Sequence, residues 1–70
     1  MLIVTKRQNE VLNTQHIEKI RLKGDATIEY IIHNGLSFTL GYYDSQEEAK
    51  AAFEDLIEQI DEIEGVARVK

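Results

Sequence analysis

The chain has 70 residues, a net charge of −5, and neither cysteine nor proline. A chain this short buries only about 60% of its unfolded surface, enough for one thin core and too little for an enclosed catalytic cleft plus a cofactor site. The lack of cysteine excludes disulfides, zinc knuckles, thiol catalysis and iron–sulfur clusters. A secreted domain of this size ordinarily needs such staples, so the cytoplasm is the expected compartment.

Hydrophobic residues make up 43% of the chain, which points to a folded domain rather than a disordered tail. No run approaches the ~20 apolar residues that span a bilayer. Lys6 and Arg7 follow the apolar run Leu2-Ile3-Val4, whereas a secretion signal has its basic residues first. The expected organisation is one domain, 1–70: β-hairpins over 1–43, a helix over 44–65, and a tail or short edge strand over 66–70.

In chain order, Leu2-Ile3-Val4-Thr5 and Glu10-Val11-Leu12-Asn13 read as two strands joined by the polar turn Lys6-Arg7-Gln8-Asn9. Asn13 and Thr14 break the pattern, since their side chains bond to nearby backbone amides. A strand resumes over residues 17–23 with Ile20 and Leu22 on one face. Ile17 is out of step by one, the signature of a bulge or a later start. Gly24-Asp25 marks a turn. Residues 26–32 and 36–42 read as two further strands.

The link between those strands can be read from the apolar pattern. A two-residue Asn34-Gly35 turn sets Ile32, Tyr30 and Ile28 against Ser37, Thr39 and Gly41. A three-residue loop, His33-Asn34-Gly35, instead pairs Ile32 with Leu36, Tyr30 with Phe38, Ile28 with Leu40 and Ala26 with Tyr42. A one-residue slip moves every side chain to the other face, so the apolar match selects the three-residue loop, with Gly35 left-handed. In this register Tyr42 points inward and Tyr43 outward.

Asp44 and Ser45 each precede a Glu by three residues, so either can cap a helix. Ala49, Ala52, Phe53, Leu56, Ile57, Ile60 and Ile63 then fall at helical spacing, on an arc of about 140°. Gly65 is the natural stop. The expected fold class is α+β: an antiparallel sheet of four to five strands built from hairpins, followed by one C-terminal amphipathic helix packed on one sheet face. Ile28, Tyr30, Ile32, Leu36, Phe38 and Leu40 would meet Phe53, Leu56, Ile57, Ile60 and Ile63. Ile31 and one side of the Leu2–Val4 strand would be left for a homodimer to cover.

Few residues carry chemistry. His16 and His33 both fall in turns, without a second ligand at helical spacing. Neither Ser37 nor Ser45 sits in a nucleophile elbow. The four glycines are scattered, so no loop cradles phosphate. The carboxylates lie on an exposed helix face, without the burial or close partner that general acid–base catalysis needs. These observations predict no enzyme, no cofactor, no metal and no small-molecule ligand.

Charge is unevenly placed. Residues 1–43 carry five Lys/Arg against four Asp/Glu, and residues 44–70 three against nine. Glu47, Glu54, Asp55, Glu58, Asp61 and Glu62, with Tyr43, form the candidate partner face, because such a field steers a basic partner. The same residues also serve as an ordinary solubility face. Lys19, Arg21 and Lys23 alternate along a strand and form the alternative basic stripe, with Lys6 and Arg7 nearby. Alternating strand charge commonly just faces water. The acidic balance opposes nucleic acid and anionic membranes.

Leu2-Ile3-Val4-Thr5, the spacing Leu12-Asn13-x-x-x-Ile17-x-x-Ile20, the Asn34-Gly35 hairpin and Asp44-Ser45-x-Glu47-Glu48 resemble small β-strand-rich proteins of Gram-positive bacteria and their phages, including the flagellar FlbD-type proteins. The first turn departs from that pattern, with Gln8-Asn9 where the group has Asn-Gly. The resemblance implies a cytoplasmic accessory protein of prophage or mobile-element origin, and carries over no functional residue. The expected role is a non-enzymatic interaction module that pairs with itself and with another protein. A nucleic-acid-associated accessory protein is the alternative. The local reading has its own test: Gly35→Ala should cost about 1 kcal/mol or more, and an unchanged melting temperature would exclude this loop.

Overall fold

Six short strands and one helix follow one another in a computed structural model that describes residues 1–62 and 65–70. Strands β1 (Leu2–Val4) and β2 (Val11–Asn13) form the expected antiparallel hairpin, with Leu2 opposite Asn13 and Val4 opposite Val11. Its loop closes where Gln8 N–H donates to the Thr5 carbonyl at 2.8 Å. The Asn13 side chain accepts from Gln15 N–H at 3.0 Å and caps a single 3-10 turn, Thr14–His16. The Thr14 hydroxyl donates back to the Met1 carbonyl.

Strands β3 (Ile17–Leu22), β4 (Thr27–Ile32) and β5 (Ser37–Tyr42) form a second antiparallel sheet. Ile17 pairs with Ile32 and Lys19 with Ile31, so Glu18 is the extra residue of a bulge. This bulge is the reason Ile17 reads out of step. The β4–β5 turn follows the three-residue reading. Gly35 has φ +89, its N–H donates to the Ile32 carbonyl, and Ile32 N–H donates to the Leu36 carbonyl. Tyr30 sits opposite Phe38, their rings stacked with centroids 5.4 Å apart.

Farther along, that register fails. Glu29 pairs with Thr39 but Ile28 pairs with Gly41, so Leu40 is inserted and Tyr42 lies opposite Thr27 rather than Ala26. The insertion reverses the alternation beyond it. Tyr42 is therefore exposed and Tyr43 half-buried, the opposite of the orientation expected from the uninterrupted register.

The single antiparallel sheet is also corrected. There are two three-stranded sheets, ordered β2-β1-β6 and β3-β4-β5. Helix α1 (Gln46–Glu62) lies between β5 and β6 in the chain and is not its last element. Strand β6 (Val66–Arg68) pairs parallel with β1, with Ile3 opposite Ala67. A parallel pair needs a long crossover, and α1 supplies part of it. No pattern within so short a strand identifies its partner. The two sheets meet where Lys6 N–H donates to the Leu40 carbonyl at 3.1 Å.

Of the two possible caps, Ser45 is the one used: its hydroxyl accepts from Glu48 N–H at 3.1 Å. The core draws on both sheets and the helix: Ile3, Ala67 and Val69, then Ile28, Tyr30 and Leu40, then Ala52 and Leu56. The expected facing sets need correction. Leu36, Phe38, Ile57 and Ile60 are exposed. Ala49, Ala52 and Leu56 form the buried line of the helix, and the two small alanines let it approach both sheets. Ile63, and the helical reading beyond residue 62, lie outside the described residues until Gly65. Leu2 is exposed, whereas Ile3 and Val4 are buried.

Two glutamines fasten α1. Gln46 Oε1 accepts from Ala26 N–H at 2.8 Å, and its Nε2 donates to the Lys23 carbonyl at 2.9 Å. Gln59 Oε1 accepts from Arg68 N–H at 2.8 Å, and its Nε2 donates to the Arg68 carbonyl at 2.7 Å. A primary amide offers both donor and acceptor, so each glutamine substitutes for a strand neighbour. Gln59→Ala should cost about 1–2 kcal/mol, against less than about 0.5 for the solvent-facing Glu58→Ala. Equal urea midpoints for the two variants would remove the clamp.

Candidate functional site

Helix α1 sorts its residues around the buried line. At about 100° per residue, Glu47, Glu54, Glu58, Asp61 and Glu62 fall within an arc of roughly 100° opposite the core, and all five are exposed. Lys50 is the cation beside them. This arc holds five of the seven residues of the candidate face.

The other two are elsewhere. Asp55 turns toward β6, where its Oδ1 lies 3.4 Å from Lys70 Nζ and its Oδ2 accepts from Gln59 Nε2 at 2.8 Å. It belongs to the clamp. Tyr43 lies back over Gly41, where a Cβ would come within 2.9 Å of the phenol oxygen and 3.1 Å of Lys6 Cβ. Lys6 Nζ sits 3.9 Å from the centre of the Tyr43 ring and donates to the Tyr42 carbonyl at 2.5 Å. Tyr43 is a packing residue, and Lys6 is already engaged.

The basic stripe is largely neutralised. Arg21 Nε pairs with Glu29 Oε1, and Lys23 Nζ lies 3.8 Å from Glu29 Oε2 and 3.6 Å from Asp25. Glu29 is buried at the centre of this face. A buried carboxylate requires such partners, because an unpaired charge there is costly. The Thr27 hydroxyl bonds to Asp25 at 2.5 Å and holds its carboxyl below the usual range. Lys19 remains exposed. His33 Nε2 donates to the Gln15 carbonyl at 3.0 Å, and its Nδ1 lies 4.0 Å from Glu18, tying the β4–β5 turn to the 3-10 turn. His16 is exposed. Among the described residues, no three of His, Cys, Asp and Glu gather to hold an ion, and no helix is long and apolar enough to cross a membrane.

The concave surface on the helix lies on its other flank. Phe53, Ile57 and Ile60 from α1 and Ile17 and Ile20 from β3 line a groove of about 400 Å³, floored by Leu56 and edged by Thr14, Glu18 and Lys19. Ile57 is 50% exposed and Ile60 40%. The carboxylate row borders the same flank, with Asp61 and Glu54 nearest in helical angle. A second, wider cleft of about 800 Å³ separates the β1–β2 loop from β5 and includes Arg7, Glu10, Tyr30 and Phe38 in its lining.

The groove was not foreseen, because its isoleucines were assigned to the core. A signal was available: at about 100° per residue Ala49 and Ala52 fall with Leu56 on one half of the apolar arc, while the large Phe53, Ile57 and Ile60 fall on the other half at i, i+4 and i+7. Gln46 and Gln59 left no signal, since their partners are distant in sequence or lie beyond the helix end. No protein-family model, curated protein or solved structure matches this chain.

Two tyrosines make the fold sensitive to alkali. Burial raises the Tyr43 phenol above its ordinary pKa. Burial also raises that of Tyr30, with a smaller contribution from the Glu10 charge. The neutral phenols therefore contribute stability that is complete below their unfolded pKa of about 10 and is lost as pH rises through the higher folded values. The buried Tyr43 hydroxyl has no partner among the described residues. Tyr43→Phe should thus be neutral or stabilising by up to about 1 kcal/mol near pH 7, and should flatten the alkaline fall. A clear loss of stability at pH 7 would show that this hydroxyl has a partner.

Proposed function

We propose that the chain is a non-enzymatic interaction module that docks a basic amphipathic helix of a partner protein in the groove between α1 and β3. The observation that carries this reading is the pair Ile57 and Ile60, left half-exposed beside Ile17, Ile20 and Phe53. An amphipathic helix lays apolar side chains into such a groove at i, i+3, i+4 and i+7 spacing. The carboxylates of Glu54 and Asp61, the nearest to the groove in helical angle, favour lysine and arginine on the flank of that helix. Apolar contact supplies affinity, and the charge row supplies steering and orientation.

The nucleic-acid alternative has less support, because Arg21 and Lys23 are paired with Glu29. The lack of cysteine fits a reducing compartment, so we assign the module to the cytoplasm.

A fluorescent amphipathic leucine–lysine peptide tests the reading by anisotropy. Binding should weaken with added salt and fall about tenfold or more, equivalent to at least about 1.4 kcal/mol, in Ile57→Ser/Ile60→Ser. Glu54→Lys/Asp61→Lys should slow association most. Undiminished binding by the serine variant, with its melting curve intact, would show adhesion by charge alone and overturn the groove.

A further inference from the structure

The edge of β5 has an unusual composition. From Leu36 to Tyr43 the chain has no charged residue, whereas the opposite edge strand, β3, carries Glu18, Lys19 and Arg21. Charge is a common device for keeping sheet edges apart, and β5 lacks it. The first half of this edge is also open. Ile32 N–H bonds to the Leu36 carbonyl, so Ile32 and Leu36 form a bonded pair, as do Tyr30 and Phe38. The backbone groups of Ser37 and Thr39 therefore point away from β4, and among the described residues none takes a hydrogen bond. The second half is closed, because the Leu40 carbonyl accepts from Lys6 N–H and the Tyr42 carbonyl from Lys6 Nζ. Beside the open half, Leu36 is 55% exposed and Phe38 45%.

We infer that this open half-edge pairs with the same segment of a second copy of the chain, antiparallel and about a two-fold axis at Ser37. That register bonds Ser37 to Ser37 of the second copy twice, through N–H and carbonyl in each direction. It also brings Thr39 N–H to the carbonyl of Gly35 in the second copy, and the reverse. Leu36 then lies opposite Phe38 of the second copy on one face, so the two exposed apolar side chains cover each other. A register centred on Phe38 would drive Leu36 of the second copy into the place that Lys6 holds beside Leu40. Lys6 thus selects the register as well as limiting the length of the ladder.

A second copy fits better than a charged peptide for an electrostatic reason. The chain's excess negative charge lies within residues 44–70. Helix α1, which carries most of it, packs on β3, β4 and β6. The order β3-β4-β5 leaves β5 as the edge away from β3, so two copies can join there with their acidic helices held apart. The interface uses neither Ile57 nor Ile60, and it stands independently of helix docking.

Sedimentation over about 1 µM to 1 mM tests the inference, a range that suits an interface at the small end of the known classes. The chain should dimerise within that range. Ser37→Pro removes an N–H that makes no bond within the monomer, and proline is tolerated on an edge strand, so this variant should remain folded and monomeric. Thr39→Lys, which sets like charges on either side of the two-fold axis, should weaken the dimer at least tenfold and more so at low salt. In a dimer of mixed labelled and unlabelled chains, Leu36 methyls should show contacts to Phe38 rings of the other copy. A monomer at about 1 mM, or dimers of equal strength in both folded variants, would overturn the inference.

Discussion

The parallel pairing of β6 with β1 is the constraint from which the rest of the structure follows. Leu2 N–H bonds to the Gly65 carbonyl at 2.6 Å, and Val69 N–H bonds to the Val4 carbonyl at 2.9 Å. These bonds return the end of the chain to its beginning. Strand β1 becomes the centre of its own sheet, with Ile3 fully buried. Helix α1 must then contact both sheets, and it can do so only along a narrow line of small residues. Ala49 and Ala52 provide that line, and Gln59 locks it by bonding Arg68 on both sides of its peptide. Ile57 and Ile60 are displaced to the flank as a consequence. The groove results from the same closure that stabilises the fold.

Charge follows a comparable logic. Glu29 stands on the central strand, where neighbouring side chains bury it. Burial of a carboxylate is tolerable only with cations close by, and Arg21 and Lys23 provide them. The positive charge of the first part of the chain is thereby partly spent inside its own sheet. Most of the negative charge of the second part stays on the solvent arc of α1, with Asp55 withdrawn into the clamp. The molecule presents one acidic helix face and a comparatively neutral sheet edge, and its two proposed contacts divide along that line.

The inserted Leu40 governs the remaining corner. One extra residue in β5 turns Tyr42 outward and Tyr43 inward, and it directs the Leu40 carbonyl to Lys6. Lys6 can then lie over the Tyr43 ring, provided position 41 has no Cβ. Glycine at this point is required by close approach, since its backbone is not left-handed, whereas Gly35 is required by its positive φ. The same bulge joins the two sheets and ends the open part of the β5 edge.

By itself, the sequence determined the α+β class, the first hairpin, an irregularity at Ile17, the His33-Asn34-Gly35 turn, a helix capped at its start, and the uneven placement of charge. Each depends on hydrogen bonds, steric limits or spacing within a few residues, so each is legible in a short window. The tertiary structure alone decided that there are two sheets, that β6 runs parallel to β1, that Leu40 is inserted, and that alanines rather than isoleucines face the core. It also withdrew Asp55, Tyr43, Arg21 and Lys23 from the surfaces that composition assigned to them. These outcomes turn on which distant segments come to lie together. Periodicity shows that a helix has an apolar arc, but only the neighbours packed against it select the part of that arc that is buried.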